Sequence, residues 1–228
     1  MVLVGALSVL FLFFKLKPKQ SGPRYLHVFF GSQTRTTERY ANELAEYAKS
    51  RSVVCRLQEL NTVSVDFLEA CGPVVVLCST HGKGEPPENA AKFLKALEVA
   101  MKKGSKRLAN LHYSLFGFGS SEYYDTFNKT CTFHAAKSIN KYLMAMGATA
   151  FHKPMFGDET ENLPEQFVQW RDAMLAALDT MGAVPTEAVV VETPVKLLPV
   201  HTVTELTPPD LTLAYESAVE QYIKGCKH

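Results

Sequence analysis

The sequence lacks the cysteine patterns of disulfide scaffolds and zinc sites. It has five cysteines, an odd number, and no two of them form a CxxC pair: Cys55, Cys71, Cys78, Cys131 and Cys226. Disulfide frameworks usually show an even count, and structural zinc sites need closely spaced ligands. The sequence therefore argues against both kinds of site and suits a reducing compartment.

Charge of one sign is also missing. The 228 residues include 24 Lys and Arg against 23 Asp and Glu, which gives a formal net charge of +1. Because nucleic-acid-binding domains normally carry a basic face or stripe, we expect no nucleic-acid partner. The phosphate-binding patterns GxxxxGK[ST] and GxGxxG are absent as well. The remaining composition, 46% hydrophobic and 21% charged, is that of a folded globular protein.

One long uncharged run stands at the amino terminus. Residues 1–14, MVLVGALSVLFLFF, carry no charge, and three lysines follow by position 19. A membrane-spanning helix needs roughly 17 to 25 apolar residues, so the run is short, and a signal peptide or a buried helix is the alternative. Because the basic flank follows the run, the positive-inside bias would keep the rest of the chain in the cytoplasm. We predict a membrane anchor over residues 1–16 and a linker over residues 17–24.

From Tyr25 onward, short apolar runs alternate with helical patterns. Predicted strands cover residues 25–30, 53–60, 74–79, 113–119 and 149–155, and predicted helices cover residues 37–50, 66–70, 89–102, 135–146 and 164–182. This alternation predicts an α/β fold, with a parallel sheet between helices on both faces. After Gly182 the sequence is extended and broken by prolines, apart from a predicted helix over residues 211–225. We expect one domain over residues 25–182 and a C-terminal extension over residues 183–228.

Open parallel sheets bind ligands beyond the carboxyl ends of their strands, and the first polar loop stands there. This loop, GSQTRTT, offers hydroxyls, an amide and successive backbone N–H groups where a helix starts. Its candidate ligands are Ser32, Gln33, Thr34, Arg35, Thr36 and Thr37. Because helix N-termini favour anions, the loop predicts a phosphate site. Helix capping alone would need only one or two such side chains.

Two further loops, STHGKGEPPENA (79–90) and GFGSSEYYDTFN (117–128), combine glycines with rings. Glycine lets the backbone approach a ligand closely, and the His81 ring could lie against a flat one. Tyr123, Tyr124 and Phe127 have polar neighbours, which favours a stacking platform over core packing. Together the three loops predict a site for a flat, phosphorylated aromatic molecule, a description that flavin mononucleotide (FMN) fits.

Four segments that occur in order at suitable separations carry a family resemblance: FFGSQTRTTERYANELA, STHGKGEPPENA, LFGFGSSEYYDTFN and GDETENLPEQFVQW. They resemble the flavodoxin-like FMN domain of the diflavin reductases, which include the microsomal NADPH–cytochrome P-450 reductases and the sulfite reductase flavoprotein. The resemblance covers about residues 25–182. It implies a flavodoxin-like, doubly wound, five-stranded parallel sheet with the order 2-1-3-4-5, in three αβα layers.

Carried over by position, the resemblance implies a contact set for FMN. Residues 32–37 would bind the phosphate, and the second and third loops would line the two sides of the flavin ring. The implied ring contacts are Ser79, Thr80, His81 and Gly82 on one side, and Phe118, Gly119, Tyr123, Phe127 and Asn128 on the other. Tyr123 would be the outer stacking ring, and Asp158 would belong to the last cofactor loop. Carboxylates around the ring would lower its potential and could steer a basic partner.

The resemblance also implies a role in electron transfer. In such a domain FMN carries the electrons and the protein tunes its potentials. The sequence shows no FAD or NADPH domain, so the electrons would come from a separate or missing FAD/NADPH module, with an FAD/NADPH-containing reductase as the donor. A haem protein or another redox protein would be the acceptor. With its N-terminal segment, the protein is expected to be anchored in a membrane, the endoplasmic reticulum by likeness to the microsomal reductases, with the domain facing the cytoplasm.

Two residues depart from the family pattern. Arg35 stands where the family usually has glycine. If that position needs a positive φ, arginine costs about 1 kcal/mol or more, although its charge could assist the phosphate. His81 stands where the microsomal reductases have tyrosine, and its protonation would alter the flavin.

Two other functions stay open. The first, favoured by Arg35, is a flavodoxin-shaped binding or scaffold protein that has lost FMN. The second is the FMN module of a radical enzyme of the tRNA wybutosine-synthesising type. The CxxxCxxC iron–sulfur motif of that enzyme's partner domain is absent from this sequence.

Overall fold

The computed structural model describes residues 24–123 and 132–181. The strands are β1 (Arg24–Gly31), β2 (Val53–Glu59), β3 (Val74–Ser79), β4 (His112–Gly119), β5 (Thr149–Ala150) and β6 (Met155–Asp158). The helices are α1 (Thr36–Ser50), α2 (Val65–Ala70), α3 (Glu88–Lys102), α4 (His134–Ala145) and α5 (Leu163–Thr180). Short 3-10 turns lie at Leu60–Thr62 and Ser121–Tyr123. Apart from the fifth strand, each element predicted between residues 25 and 182 is present to within two residues.

Several sequence-based predictions lie outside the described residues. These are the membrane anchor over residues 1–16, nearly all of the linker, and the C-terminal extension with its helix over residues 211–225. Within the described ranges, no helix combines the length and hydropathy that crossing a bilayer requires.

The strands form a parallel sheet with the order β2-β1-β3-β4-β5, and β6 also pairs with β4. The predicted flavodoxin-like order is therefore confirmed. The predicted fifth strand is divided in two, because β5 pairs with the start of β4 and β6 pairs with its end. Between them the ladder stops after Phe151, whose N–H donates to the Tyr113 carbonyl at 2.9 Å. Pro154 has no N–H to continue it.

The order of the strands fixes where a ligand can bind. From β1 the chain first adds β2 on one side and then crosses to add β3 on the other. The loops after β1 and β3 therefore leave the sheet side by side and turn to opposite faces. Such a switch point opens a crevice at the carboxyl edge of an α/β sheet.

Helices α1 and α5 cover one face of the sheet with a large aromatic cluster. Tyr40, Leu44 and Ala48 recur at helical spacing on α1 and are buried. Tyr40 packs against Phe167 of α5, with ring centroids 4.6 Å apart. Burying a large side chain of this kind stabilises a fold by about 1.5 to 3 kcal/mol, so this face holds α1 and α5 firmly.

On the other face, beneath α3 and α4, β1 and β4 carry glycines near their carboxyl ends. A Cβ on Gly31 would lie 2.7 Å from Ala90 Cβ, and one on Gly117 would lie 2.6 Å from Ala136 Cβ. Real Cβ atoms do not approach so closely, so only glycine fits at the ends of these strands. The close packing brings the N-termini of α3 and α4 to the carboxyl edge, beside the crevice.

Candidate cofactor-binding site at the carboxyl edge

The first loop leaves β1 and enters α1 through a left-handed residue. Arg35, which precedes the helix, has φ 63° and ψ 3°. Its carbonyl accepts the first helical hydrogen bond, from Arg39 N at 3.0 Å. The position therefore does need a positive φ, as the family's glycine suggested. An αL residue beside helical residues turns successive N–H groups toward one point, which is the geometry of an anion-binding nest.

The donors of this loop are largely unpaired. Within the described residues, no acceptor bonds the backbone N–H groups of Gln33, Thr34, Arg35, Thr36 and Glu38. The Thr37 hydroxyl is buried, and no described group bonds it either. Buried polar groups in native proteins are nearly always paired, so an orphaned hydroxyl beside free N–H groups suits an acceptor from outside the chain. A phosphate fits this donor set, and the positive end of α1 adds to it.

Other side chains of the first loop hold the loop in place. Ser32 Oγ accepts from Thr37 N at 3.1 Å, and the hydroxyls of Thr34 and Thr36 lie 3.1 Å apart. Gln33 Oε1 accepts from Glu88 N at 3.1 Å, which ties the loop to the start of α3. The carbonyl oxygen of the Gln33 amide is thus engaged within the protein, whereas its amide nitrogen bonds no described group.

Asn89 makes a second link between the first loop and α3. Its Oδ1 accepts from Ser32 N at 2.8 Å, and its amide nitrogen donates to Glu59 at 3.2 Å. Asn89 begins the predicted helix over residues 89–102, and its position beside a glycine-rich loop was the available sequence signal for this second role.

The second loop closes on itself as a tight hairpin. His81 N donates to Glu85 O at 3.0 Å, and Glu85 N donates back to His81 O at 2.9 Å. Gly82 and Gly84 permit the turn with φ of 51° and 100°. The imidazole Nδ1 lies 3.0 Å from the Glu85 carbonyl oxygen. A proton on Nδ1 would be donated there, so this contact fixes the ring and leaves Nε2 as the second nitrogen.

Ser79 and Thr80 direct their hydroxyls into the protein. Ser79 Oγ donates to Gly31 O at 3.3 Å, and Thr80 Oγ1 accepts from Ala135 N at 3.2 Å. Thr80 N donates to Phe118 O at 3.1 Å, which joins the second loop to β4. These two predicted contacts therefore position the edge, and their main chain is what remains for a ligand.

Phe118 and Gly119, at the end of β4, are covered by other rings. Phe118 is 1% exposed and packs against Tyr40, with centroids 5.1 Å apart. A Cβ on Gly119 would lie 2.7 Å from the ring of Phe133. Phe133 starts α4 with φ 60° and was not found by sequence reasoning. The Phe118 side chain belongs to the core, so only its main chain could meet a ligand.

The remaining predicted ring contacts, Tyr123, Phe127 and Asn128, belong to the third loop (117–128). Tyr123 ends the Ser121–Tyr123 turn. Phe127 and Asn128 fall outside the described residues.

Asp158 ties the third and last loops together. Its Oδ1 accepts from Ser121 N at 3.0 Å, from Thr160 N at 3.0 Å and from Thr160 Oγ1 at 2.8 Å. Beside it, Glu159 N donates to Gly119 O at 2.8 Å. Partial burial acts to raise the pKa of Asp158, but the hydrogen bonds from Thr160 and Ser121 together outweigh it and lower that pKa. Asp158 is thus an ionised carboxylate whose hydrogen bonds organise the edge.

The described part of the chain shows no metal or reactive-thiol chemistry. No group of three or more His, Cys, Asp and Glu residues within it could hold a metal ion. Cys55, Cys71 and Cys78 are free thiols, and burial raises the pKa of each to about 12. A surface groove of about 730 Å³ runs along α3, and none of the predicted site residues lines it.

Comparison with known proteins agrees with this geometry. The family model for flavodoxins matches residues 28–170. NADPH–cytochrome P450 reductase of Phanerodontia chrysosporium is 30% identical over 69% of this chain and 22% of its own length. NADPH-dependent diflavin oxidoreductase 1 of Mus musculus is 33% identical over 60% of this chain and 22% of its own length. The chain thus aligns with about a fifth of each of these relatives.

A flavodoxin of Pseudomonas aeruginosa has the same fold. Its TM-score is 0.54 at 20% identity, covering 68% of this chain and 99% of that one. The fold and these relatives point to FMN as the cofactor, which is the predicted one, and to a role in electron transfer. The chain therefore belongs to the flavodoxin family.

Proposed function

We propose that the chain is a membrane-tethered FMN domain that passes electrons from an FAD/NADPH module to a haem protein or another redox acceptor. The observation that carries this proposal is the first loop, where five backbone N–H groups and the buried Thr37 hydroxyl have no acceptor among the described residues. A phosphate monoester supplies the oxygen acceptors that this donor set lacks. The proposed phosphate-binding segment is residues 32–37.

The flavin ring would lie between the second and third loops. His81 would present its imidazole, since Nδ1 is occupied by the Glu85 carbonyl and the ring cannot turn freely. Gly82, Phe118 and Gly119 would contribute main chain, and Tyr123, Phe127 and Asn128 are the proposed contacts on the outer side. When bound, FMN would supply the electron-carrying chemistry. The residues of the chain would bind it, orient it and set its potential.

Carboxylates surround this edge and would act on the bound ring through their field. Glu85, Glu88, Glu122 and Glu159 are exposed at the ends of the loops, and Asp158 is held ionised. Negative charge disfavours an added electron, so these groups would lower the potential of the cofactor. The same charge would attract a basic face on a redox partner.

The partners and location are part of the proposal. The relatives are named as NADPH-dependent reductases, which supports an FAD/NADPH-containing protein as the electron donor. The acceptor would be a haem protein or another redox protein. Residues 1–16 would anchor the domain to a membrane, the endoplasmic reticulum by likeness to the microsomal reductases, with residues 25–182 on the cytoplasmic side.

Absorbance of the purified protein tests the cofactor. We expect a yellow protein whose bound chromophore, once extracted, is FMN, and an apoprotein that regains the colour when FMN is added. The competing scaffold function is favoured by Arg35, which places a large side chain at a left-handed position of the phosphate loop. A folded, colourless protein that takes up no FMN would support the scaffold and overturn the electron carrier.

Fractionation of cells tests the tether separately. The full chain should sediment with membranes, and a variant without residues 1–16 should not. A full chain that stays in the supernatant would remove the membrane from the proposal and leave the cofactor site untouched.

A further inference from the structure

Arg35 is a residue with a strained backbone inside the proposed phosphate loop, residues 32–37. It is one of three non-glycine residues with positive φ in the described ranges, together with Ser52 and Phe133. Its side chain is exposed and makes no capping bond to α1. Strained backbone persists where the surrounding structure imposes it, and it concentrates at ligand-binding positions.

The Arg35 side chain makes no ion pair, hydrogen bond or ring contact with another described residue. Each of the other described arginines makes at least one: Arg24, Arg107 and Arg171 pair with carboxylates, and Arg39, Arg51 and Arg56 lie over tyrosine rings. Acidic groups do lie around the loop: Glu38 stands in the first turn of α1, and Glu88 begins α3 and bonds Gln33. These carboxylates oppose the binding of a doubly charged phosphate. The N–H groups and the Thr37 hydroxyl offer only partial charges against them.

We propose that Arg35 adds to the selection of the phosphorylated flavin over its dephosphorylated form, by placing a positive charge beside the neutral donors of the loop. A guanidinium presents a fork of N–H donors that fits phosphate oxygens, and charged hydrogen bonds are stronger than neutral ones. Glycine would give the same backbone turn without strain and without the charge. The inference rests on the proposed FMN site, and it assigns to Arg35 the charged part of the discrimination between phosphate monoester and alcohol.

Three variants separate the charge of Arg35 from its backbone. Arg35→Gly and Arg35→Asn keep a residue that tolerates the left-handed region and remove the cation, and Arg35→Lys keeps the cation. Lys49→Gln, at the opposite end of α1, is the matched control because it removes one exposed positive charge far from the loop. Calorimetric titration of each apoprotein with FMN and with riboflavin, at low and high salt, gives the affinities.

We expect Arg35→Gly and Arg35→Asn to weaken FMN binding about tenfold, the effect of one charge-assisted contact, and to leave riboflavin binding unchanged. The salt dependence of FMN binding should fall with the lost charge. Inorganic phosphate should raise the unfolding temperature of the wild-type apoprotein more than that of Arg35→Gly. The unfolding temperature of Arg35→Gly without phosphate should be no lower than that of the wild type.

Each contrary outcome overturns the inference in its own way. Equal FMN affinity in the wild type and Arg35→Gly would remove Arg35 from recognition, while the FMN site itself would stand. Equal losses for FMN and riboflavin would show a structural role, and an equal loss in Lys49→Gln would show a general effect of net charge. Equal binding of riboflavin and FMN by the wild-type protein would also refute the inference. A wild-type protein that binds neither flavin would refute both the inference and the proposed FMN site.

Discussion

Two corners of the same sheet edge are built on opposite principles. The phosphate-loop corner, residues 32–37, presents backbone N–H groups and a buried hydroxyl that no described group bonds. The Asp158 corner, formed by residues 119–121 and 158–160, satisfies its donors with one carboxylate. Under the proposed function, a ligand from outside the chain completes the first corner, whereas the donors of the second are satisfied within the protein. Loops of similar polarity can therefore differ in whether they receive a ligand or support the loops that do.

The largest effect is expected from packing beneath the corners. A Cβ on Gly157 would lie 2.5 Å from Phe116 Cζ and 2.6 Å from Leu163 Cδ1. Phe116 is fully buried among other rings and cannot yield. Gly157→Ala should therefore lower the free energy of unfolding by about 3 kcal/mol in urea titration.

Two control variants interpret that loss. Gly31→Ala, beneath the phosphate-loop corner, meets Ala90 Cβ at 2.7 Å and should cost a similar amount. Gly104→Ala has open space but φ +71°, and should cost only about 1 kcal/mol from backbone strain. Equal losses in the free energy of unfolding for Gly31→Ala and Gly157→Ala would mean that the two corners are packed alike and differ only in their polar groups. A loss at Gly104 as large as at Gly157 would contradict the steric explanation.

Removing the shared acceptor should break the Asp158 corner. Asp158→Ala leaves the N–H groups of Ser121 and Thr160 unpaired, and we expect a loss of about 1 to 2 kcal/mol, since the site is partly exposed. Because the folded pKa of Asp158 is lowered, its contribution is present above the unfolded pKa near 3.8 and is lost as the pH falls through the folded value. Between pH 5 and pH 2, the free energy of unfolding should depend less on pH for Asp158→Asn than for the wild type. Parallel curves would contradict this role.

Acid should also act on the core, in a higher pH window. His27 lies in β1 with a lowered pKa, caused first by burial and then by Arg56, against an opposing hydrogen bond from the imidazole to Gln58. A lowered histidine pKa means that stability is complete above the unfolded value near 6.5 and falls as the pH drops below it. The wild type should lose on the order of 1 kcal/mol between pH 7 and pH 5 relative to His27→Phe. The pH dependence caused by Asp158 is measured most clearly in the His27→Phe background, where His27 no longer contributes. A difference in stability between the wild type and His27→Phe that does not change with pH would contradict the lowered pKa of His27.

The smallest effect on stability is expected at Thr37. Its hydroxyl is buried and unbonded among the described residues, so the isosteric change Thr37→Val should alter the stability of the apoprotein by no more than about 0.5 kcal/mol. FMN affinity should nevertheless fall several-fold, because the hydroxyl is available to the phosphate. Calorimetric titration and urea unfolding of the same sample measure both quantities. A large loss of stability without a loss of affinity would mean that Thr37 serves the fold only.

Much of this edge could be predicted from the sequence. The strands and helices follow from periodicity, which local sequence carries, and the motif resemblance gave the strand order 2-1-3-4-5. The loop over residues 32–37 could be singled out because its hydroxyls and its helix start are contiguous, and its binding of phosphate stays a prediction. The sequence suggested a positive φ at Arg35 only through the glycine that the family has there, and the structure shows that Arg35 does have a positive φ.

Other features depend on contacts between distant segments. Phe118 alternates along β4, but which way it faces depends on α1 and α5, which bury it against Tyr40. The role of Asp158 depends on Ser121, 37 residues away in sequence, and on where β6 places it. The split of the fifth strand follows from its pairing to two parts of β4. None of these relations has a local signal.

Trp170 gives the molecule a built-in optical reporter. It is the only tryptophan in the 228 residues, is 1% exposed, and packs against Phe116 and Phe167 on the face that leads to the carboxyl edge. Because the Trp170 indole is buried away from water, it should emit at short wavelength, where an isoalloxazine absorbs. Resonance energy transfer from this indole would therefore report the binding of FMN at the carboxyl edge of the unlabelled protein. The same readout would serve every variant that keeps α5 folded.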